Sequence, residues 1–294
     1  MGKDLAEQFP AAREVFEAVD EALRVKLSTV MWEGPERDLT LTHNAQPAIL
    51  AHSLAVYAVV RDAVQPVLGA GHSLGEYSAY VAAGALEPTD AARLVRRRGA
   101  LMLEAGERRP GAMAAVIGMD GEEVAKICAG ESGDGRVAVA ANFNAPDQTV
   151  ISGDPEAVDR AGRHLKKLGA KRVLPLKVSG AFHSPLMEPA KVGLKAELEK
   201  VQLRDPAFPV IANATAEPVT DAMTARELLG EQVTSPVRWV ASMKWAASGA
   251  DGATFIEIGP GAVLTGLLKR IVPEATSITI GTVEQVAQFM EGSG

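Results

Sequence analysis

The sequence has a single cysteine, no excess of positive charge and no long apolar run. Cys128 is the single cysteine of 294 residues, so no internal disulfide can form. The formal net charge of −7 argues against a nucleic-acid surface, because phosphate binding requires clustered positive charge. The longest apolar stretch, residues 49–60, contains His52 and Ser53 and is too short to cross a bilayer.

The remaining composition is that of an ordinary globular protein, with 47% hydrophobic and 23% charged residues. The start, MGKDLAEQFP, is too polar for a signal peptide. We therefore expect a cytoplasmic protein.

Alternating strand and helix patterns predict an α/β protein with a hydrolase-like, mainly parallel sheet flanked by helices. Apolar spacing and turn residues predict helices over 11–23, 47–64, 74–83, 88–104, 185–201 and 261–271, and strands near 66–70, 208–212, 253–259 and 277–280. A capping box at Thr224 and Glu227 predicts the start of one more helix, and Pro236 predicts another.

The middle of the chain has a different pattern of predicted strands and helices. Its predicted order is strand, helix, strand, strand, helix, strand, which is the ferredoxin-like split unit. We therefore expect a ferredoxin-like small domain over 111–179, inserted into a large α/β hydrolase-like domain formed by 1–110 and 180–294.

A tight strand-to-helix turn is predicted at AGHSLG, residues 70–75. Gly71, Ser73 and Gly75 form G-x-S-x-G, in which small residues let the backbone bend sharply and expose the serine oxygen. The Leu74 N–H, at the start of the next helix, would then face an oxyanion on a substrate carbonyl. The same pattern also occurs by chance in glycine-rich chains, and in that case Ser73 is only a small residue in a turn.

A nucleophilic serine needs a base, and the chain has five histidines. His183 lies in the loop VSGAFHSPLM, and loops at the ends of parallel strands carry the chemistry of such sheets. His52 falls in an apolar helix, His164 on a solvated helix face and His43 in a polar loop or cap. The side chain of His72 is expected to diverge from its neighbour Ser73. The alternative for His183 is a loop histidine bonded to backbone groups.

Several separated motifs resemble one family. GHSLGEYSA, RRRGALM, NAPDQTVISG, GAFHSPLM, SPVRW and EIGPGAVLTGLLKRI together resemble the malonyl-CoA:acyl-carrier-protein transacylases of bacterial fatty acid synthesis. The resemblance covers essentially the whole chain, and the motifs follow the family's order.

The resemblance implies a ping-pong transfer. Ser73 would attack the malonyl thioester of coenzyme A, and His183 would take the serine proton and return it to the leaving thiol. The phosphopantetheine thiol of acyl carrier protein would then collect the malonyl group. In this family a backbone carbonyl orients the histidine, and it maps to Gln232. The resemblance implies a coenzyme A thioester as substrate, no bound cofactor and no metal.

Arg98 matches the arginine that holds the malonyl carboxylate in this family, and a guanidinium offers two parallel donors to a carboxylate. Its neighbours Arg96 and Arg97 are expected on a solvated helix face. Phe182 matches a position where phenylalanine accompanies malonyl rather than methyl-branched substrates, a preference worth about 1–3 kcal/mol.

The resemblance adds further candidates for substrate binding. Asn142 and Asn144 match positions where the small domain faces the cleft, and they would contact the pantetheine arm or only turn the chain. His72 is a further candidate beside the serine. We expect a monomer whose partners are malonyl-CoA and acyl carrier protein, with no nucleic acid and no membrane.

Two rival functions share parts of this pattern. A serine thioesterase or other hydrolase would use the same turn, but normally places an acid between serine and histidine in chain order. A non-catalytic relative would keep the fold and lose turnover.

Family members begin with an apolar strand and a GQGSQ-type loop, whose glutamine backbone supplies a second oxyanion donor. The region matched by Met1 and Gly2 follows that loop, so we expect both features to be absent from the chain as given. Either Met1 is an internal methionine of a longer protein or the enzyme is truly shortened. On this expectation the chain is poorly soluble or nearly inactive until about fifteen family-like residues are added.

Overall fold

The fold is mixed α/β, with nine strands in the part of the chain that the computed structural model describes, residues 1–249 and 252–292. The strands are β1 (Gly69–Ala70), β2 (Ala112–Ile117), β3 (Ala138–Ala145), β4 (Gln148–Gly153), β5 (Arg172–Pro175), β6 (Val210–Ile211), β7 (Pro218–Val219), β8 (Phe255–Ile258) and β9 (Ser277–Ile280).

The helices surround these strands. They are α1 (Lys3–Gln8), α2 (Pro10–Leu23), α3 (Leu27–Glu33), α4 (Glu36–Leu39), α5 (Thr42–Val60), α6 (Gly75–Ala82), α7 (Pro88–Arg108), α8 (Gly121–Glu131), α9 (Pro155–Lys167), α10 (Glu188–Leu198), α11 (Ala222–Glu231), α12 (Trp239–Gly249), α13 (Val263–Ile271) and α14 (Val283–Gly292). Short 3₁₀ helices cover Arg61–Ala63 and Pro185–Met187. No helix among the described residues is long and apolar enough to cross a membrane.

Two small sheets carry the strands outside the middle segment. In the first, the order is β1-β6-β7, with β1 parallel and β7 antiparallel to β6. In the second, β8 pairs with β9 in parallel. The ladders of β1 and β6 are two residues long, shorter than the predicted strands 66–70 and 208–212.

The middle segment has its own sheet and core. Its elements run β2, α8, β3, β4, α9, β5, and the strands lie in the order β3-β4-β2-β5, all antiparallel to their neighbours. Helices α8 and α9 pack on it around buried Val116, Val124, Ile151 and Leu165. Burial in the same cluster raises the pKa of Cys128 to about 12, so this thiol stays protonated.

A larger core lies among the helices of the rest of the chain. Helix α5 packs between α2 and α7, and its residues are buried on nearly every side. It starts five residues earlier than predicted, because the Asn44 and Ala45 amides already donate to the Leu41 carbonyl ahead of Pro47. This core supports the turn between β1 and α6.

The capping-box prediction at Thr224 and Glu227 is wrong. Helix α11 begins three residues earlier, at a different cap: the carboxylate of Asp221 accepts from the Thr224 amide at 2.8 Å. An aspartate cap serves the same unsatisfied amides as a threonine cap, so the two were competing signals.

Candidate active site

Ser73 lies in the turn between β1 and α6, with φ at +51°, a left-handed conformation that non-glycine residues rarely adopt. The turn is tight: a Cβ added at Gly71 would come within 1.9 Å of the Gly75 carbonyl carbon. Gly75 itself has open space around its Cα. The sharp bend therefore requires the first glycine of G-x-S-x-G for steric reasons, whereas the second is not sterically required.

The structure brings Ser73 and His183 together across 110 residues of sequence, with 2.8 Å between Oγ and Nε2. His183 also has a positive φ, +56°, in the loop before the Pro185–Met187 helix. Its Nδ1 faces two carbonyl oxygens, Gln232 at 3.0 Å and Ser235 at 3.2 Å. Since carbonyls only accept, Nδ1 carries the proton and Nε2 is left as the acceptor facing the serine.

The surroundings favour the neutral imidazole. Burial lowers the pKa of His183 to about 3, and the positive charge of Arg98 adds to the effect. At neutral pH the ring is therefore neutral, with the proton on Nδ1, and Nε2 is able to accept a second proton.

Arg98 reaches the same point from α7, where it is only 1% exposed. Its Nη2 donates to Ser73 Oγ at 3.0 Å and to Gln232 Oε1 at 2.9 Å, and its Nη1 donates to Gln46 Oε1 at 2.6 Å. None of the ion pairs within 4.0 Å formed by the described residues includes Arg98. All three acceptors are neutral, so a buried positive charge lies beside the serine without a directly bound carboxylate.

The two arginines that precede Arg98 in α7 point to other parts of the molecule than Ser73. Arg97 is exposed and pairs with Glu104 at 3.0 Å. Arg96 differs from the expected solvated residue: it is half-buried and donates to the His43 carbonyl at 3.1 Å and to Asn44. It therefore fastens α7 to the start of α5, because its long side chain spans the gap between the two helices.

The Leu74 amide lies at the start of α6, one residue after the serine, and its N–H donates no hydrogen bond within the described part of the chain. An N–H at a helix start carries partial positive charge and is suited to an anion. An oxyanion formed on a carbonyl attacked by Ser73 could use this donor.

The middle segment contributes to one side of the site. Asn144 of β3 contacts His72, with 2.8 Å between Oδ1 and Nε2, and the His72 ring lies 5.5 Å from that of Trp239. His72 thus turns away from the serine, and burial lowers its pKa. Asn142 is buried, and the backbone on either side of it bonds to Val237.

Phe182 is half-buried beside His183 and packs against both the larger core and a small cluster that includes Met113, Ala141 and Val150. The other three histidines are not among the residues that contact Ser73. His164 contacts Glu131 at 2.9 Å on the surface of the middle segment.

Besides the Ser235 carbonyl, the side chains of Gln46, Asn213 and Glu76 belong to the site without being predicted from the sequence. Gln46 and Asn213 lie in no recognisable motif, and each contacts residues far away in sequence. Glu76 stands inside GHSLGEYSA, where a carboxylate among the apolar residues of a buried helix was a usable signal.

Comparisons with known proteins all indicate the same family. The acyl transferase domain family matches residues 1–288. A malonyl CoA-acyl carrier protein transacylase of Bacillus subtilis (strain 168) is 46% identical, over 97% of this chain and 90% of its own.

Solved structures agree. An acyl-carrier-protein-S-malonyltransferase from Bartonella henselae has a TM-score of 0.93 at 44% identity, covering 100% of this chain and 95% of its own. A malonyl-transacylase in complex with a type II PKS acyl-carrier protein has a TM-score of 0.94 at 40% identity, covering 99% and 94%.

Proposed function

Because the chain belongs to the acyl transferase domain family, we propose that it transfers a malonyl group from coenzyme A to the phosphopantetheine thiol of acyl carrier protein. The observation that carries this proposal is Arg98, a buried cation that touches the serine and has no bound carboxylate. A guanidinium in this position suits an acyl group that ends in a carboxylate.

In the first half-reaction, Ser73 Oγ attacks the thioester carbonyl while His183 Nε2 takes the serine proton. The C–O bond forms, and the oxyanion of the tetrahedral intermediate accepts from the Leu74 amide. The intermediate collapses as the C–S bond breaks, and the imidazolium gives its proton to the coenzyme A thiolate. A malonyl-serine ester remains.

The second half-reaction reverses these roles. His183 takes the proton of the phosphopantetheine thiol, whose sulfur attacks the ester carbonyl. The C–S bond forms, the Ser73 C–O bond breaks, and the imidazolium returns the proton to the serine oxygen. Because the first product leaves before the second substrate reacts, the kinetics are ping-pong.

The remaining site residues have binding roles in this proposal. Arg98 takes the malonyl carboxylate and Gln232 holds His183 through its carbonyl. Phe182 restricts branching at the malonyl carbon, whereas His72, Asn142 and Asn144 border the path of the pantetheine arm.

The proposal keeps the division into a large domain, 1–110 with 180–294, and a ferredoxin-like small domain, 111–179. The strand order β3-β4-β2-β5 and the separate core of the middle segment support that division. A monomer without bound cofactor, located in the cytoplasm, remains the prediction from sequence.

The test is to incubate the protein with malonyl-CoA alone and follow both free thiol and protein mass. We expect a single malonyl adduct on the peptide containing Ser73, stable until a phosphopantetheine thiol is added, and no adduct in Ser73→Ala. Ser78→Ala is the matched control, since it removes a hydroxyl from the same turn-and-helix region and should still be acylated.

Two results would overturn the proposal. An adduct on another residue would remove Ser73 from its role. Continuous release of thiol and malonate without added acceptor would identify a thioesterase instead.

A further inference from the structure

Glu76 is a fully buried carboxylate in the first turn of α6, three residues after Ser73. One oxygen, Oε2, accepts two hydrogen bonds: from the Asn213 backbone amide at 3.0 Å and from Gln232 Nε2 at 2.7 Å. The other oxygen, Oε1, is buried and has no hydrogen-bond partner among the described residues. Among the described residues, the Glu76 carboxylate makes no hydrogen bond to Ser73, His183 or Arg98, so it is outside the chemistry proposed above.

The first partner, Asn213, holds the turn that carries the nucleophile. Its Oδ1 accepts from the Ser73 amide at 2.6 Å, and its Nδ2 donates to the Gly71 carbonyl at 2.7 Å. These two bonds span the residues on either side of His72. They stabilise the left-handed conformation of Ser73, which needs support from its surroundings.

The second partner, Gln232, hydrogen-bonds to three residues of the site: Ser73, His183 and Arg98. Its Nε2 donates to the Ser73 carbonyl at 2.9 Å, its Oε1 accepts from Arg98 at 2.9 Å, and its backbone carbonyl accepts from His183 at 3.0 Å. One residue therefore links nucleophile, base and carboxylate-binding cation.

The donors and acceptors leave the Gln232 amide one orientation. Arginine only donates, so the amide oxygen must face Arg98. The amide nitrogen must then face acceptors, and it finds two, the Ser73 carbonyl and Glu76. Without Glu76, the amide nitrogen loses one acceptor and the buried Asn213 amide loses the acceptor that its hydrogen bond uses.

We propose that Glu76 is a positioning residue of the acyl-transfer site: one carboxyl oxygen holds Asn213 and Gln232, and through them sets the positions of Ser73 and Arg98. The inference rests on the proposed function and deepens it. This positioning role requires a hydrogen-bond acceptor at Glu76 Oε2 rather than a negative charge, because both of its partners are neutral donors.

The electrostatics agree with an acceptor role. Burial raises the pKa of Glu76 to about 7, while the bonds from Gln232 and Asn213 and the charge of Arg98 oppose that rise. A proton on the unpartnered Oε1 would leave Oε2 free to accept both bonds. The network is thus compatible with either ionisation state.

The test compares three substitutions by the ratio of kcat/KM for malonyl-CoA to that for acetyl-CoA. Both values of kcat/KM depend on the same concentration of folded enzyme, so this concentration cancels in the ratio. A variant that only lowers the amount of folded protein therefore leaves the ratio unchanged. Glu76→Leu removes the acceptor and should lower the ratio about tenfold or more, since small displacements at a reacting centre have large effects. Glu76→Asp draws the oxygens back from both donors and should also lower it. Glu76→Gln keeps an oxygen acceptor and should recover most of the loss.

Tyr80→Phe is the matched control. It removes from the same helix a buried hydroxyl that has no hydrogen-bond partner among the residues that the structure describes, and the ratio should not change. If Glu76→Leu fails to fold, the ratio measured for Glu76→Asp still tests the positioning role.

Wild-type behaviour separates this inference from the proposed function. If the wild type itself shows no preference for malonyl-CoA, the proposed function fails. If the wild type shows the preference and both Glu76→Leu and Glu76→Asp retain it, the positioning role fails alone. A loss in Glu76→Gln as large as that in Glu76→Leu would also overturn the acceptor role.

Discussion

Replacing Arg98 by alanine is the sharpest perturbation of the proposed selectivity. Arg98 is 1% exposed and its guanidinium makes three hydrogen bonds to neutral acceptors, so a malonyl carboxylate would meet a desolvated cation. Truncating one partner of a buried, hydrogen-bonded charge pair costs about 2–5 kcal/mol. At about 1.4 kcal/mol per factor of ten, the loss in kcat/KM for malonyl-CoA is roughly 30-fold to several thousand-fold.

Acetyl-CoA has no carboxylate, so it should lose less. It will lose something, because Arg98 also contacts Ser73 Oγ at 3.0 Å and its removal changes the surroundings of the nucleophile. The informative quantity is therefore the malonyl-to-acetyl ratio of kcat/KM, measured with a phosphopantetheine thiol as acceptor. We expect Arg98→Ala to lower this ratio by at least about tenfold.

Arg97→Ala is the matched control for the loss of a guanidinium. Arg97 is adjacent, exposed and paired with Glu104 at 3.0 Å, so its removal should leave the ratio unchanged. The Arg98 variant also leaves the amide oxygens of Gln46 and Gln232 without a donor, at about 1–3 kcal/mol of stability each. Its thermal denaturation should be measured alongside. A folded Arg98→Ala with the wild-type ratio would refute the reasoning.

Two further predictions concern the serine and its base. Asn213→Ala removes the bonds to the Ser73 amide and Gly71 carbonyl, so it should slow single-turnover acylation about 10- to 100-fold; a wild-type rate would show that the turn holds without this side chain. Because the pKa of His183 is lowered to about 3, its base form persists on acidification, and acylation kcat/KM should show no inflection near pH 6.5 in a profile from about pH 5 to pH 8. Since the pKa of Glu76 is about 7, an inflection that persists in Glu76→Gln would mean that His183 titrates as an ordinary histidine.

The turn and its nucleophile could be predicted because their signal is local. Gly71 has no room for a side chain, and the bend at Ser73 is built from residues within five positions. His183 could be selected among five histidines from its loop position, although its 2.8 Å contact with the serine depends on how the whole chain packs. The steric requirement at Gly71 can be predicted from the sequence, whereas the distance between Ser73 Oγ and His183 Nε2 cannot.

The supporting residues could not be predicted, because their roles exist only as contacts. Asn213 lies 140 positions from Ser73, and Gln46 lies 52 positions from Arg98. No spacing rule connects such pairs. The exact extent of β1 and β6 is not predicted for a related reason, since their pairing joins segments that lie about 140 positions apart.

The orienting groups of His183 bear on the choice between transferase and hydrolase. A carboxylate at Nδ1 would stabilise the imidazolium and raise its pKa, whereas here two neutral carbonyls accept from Nδ1 and the Arg98 cation lies nearby. Burial and the Arg98 charge together lower the pKa of His183, so an imidazolium formed by serine attack favours return of its proton to the leaving group. In the proposed cycle that group is a thiolate or the serine oxygen, so proton return accompanies bond cleavage in both directions. Such a base is weaker toward water than a carboxylate-supported histidine, which favours an ester that persists until a thiol, a much better proton donor than water, arrives.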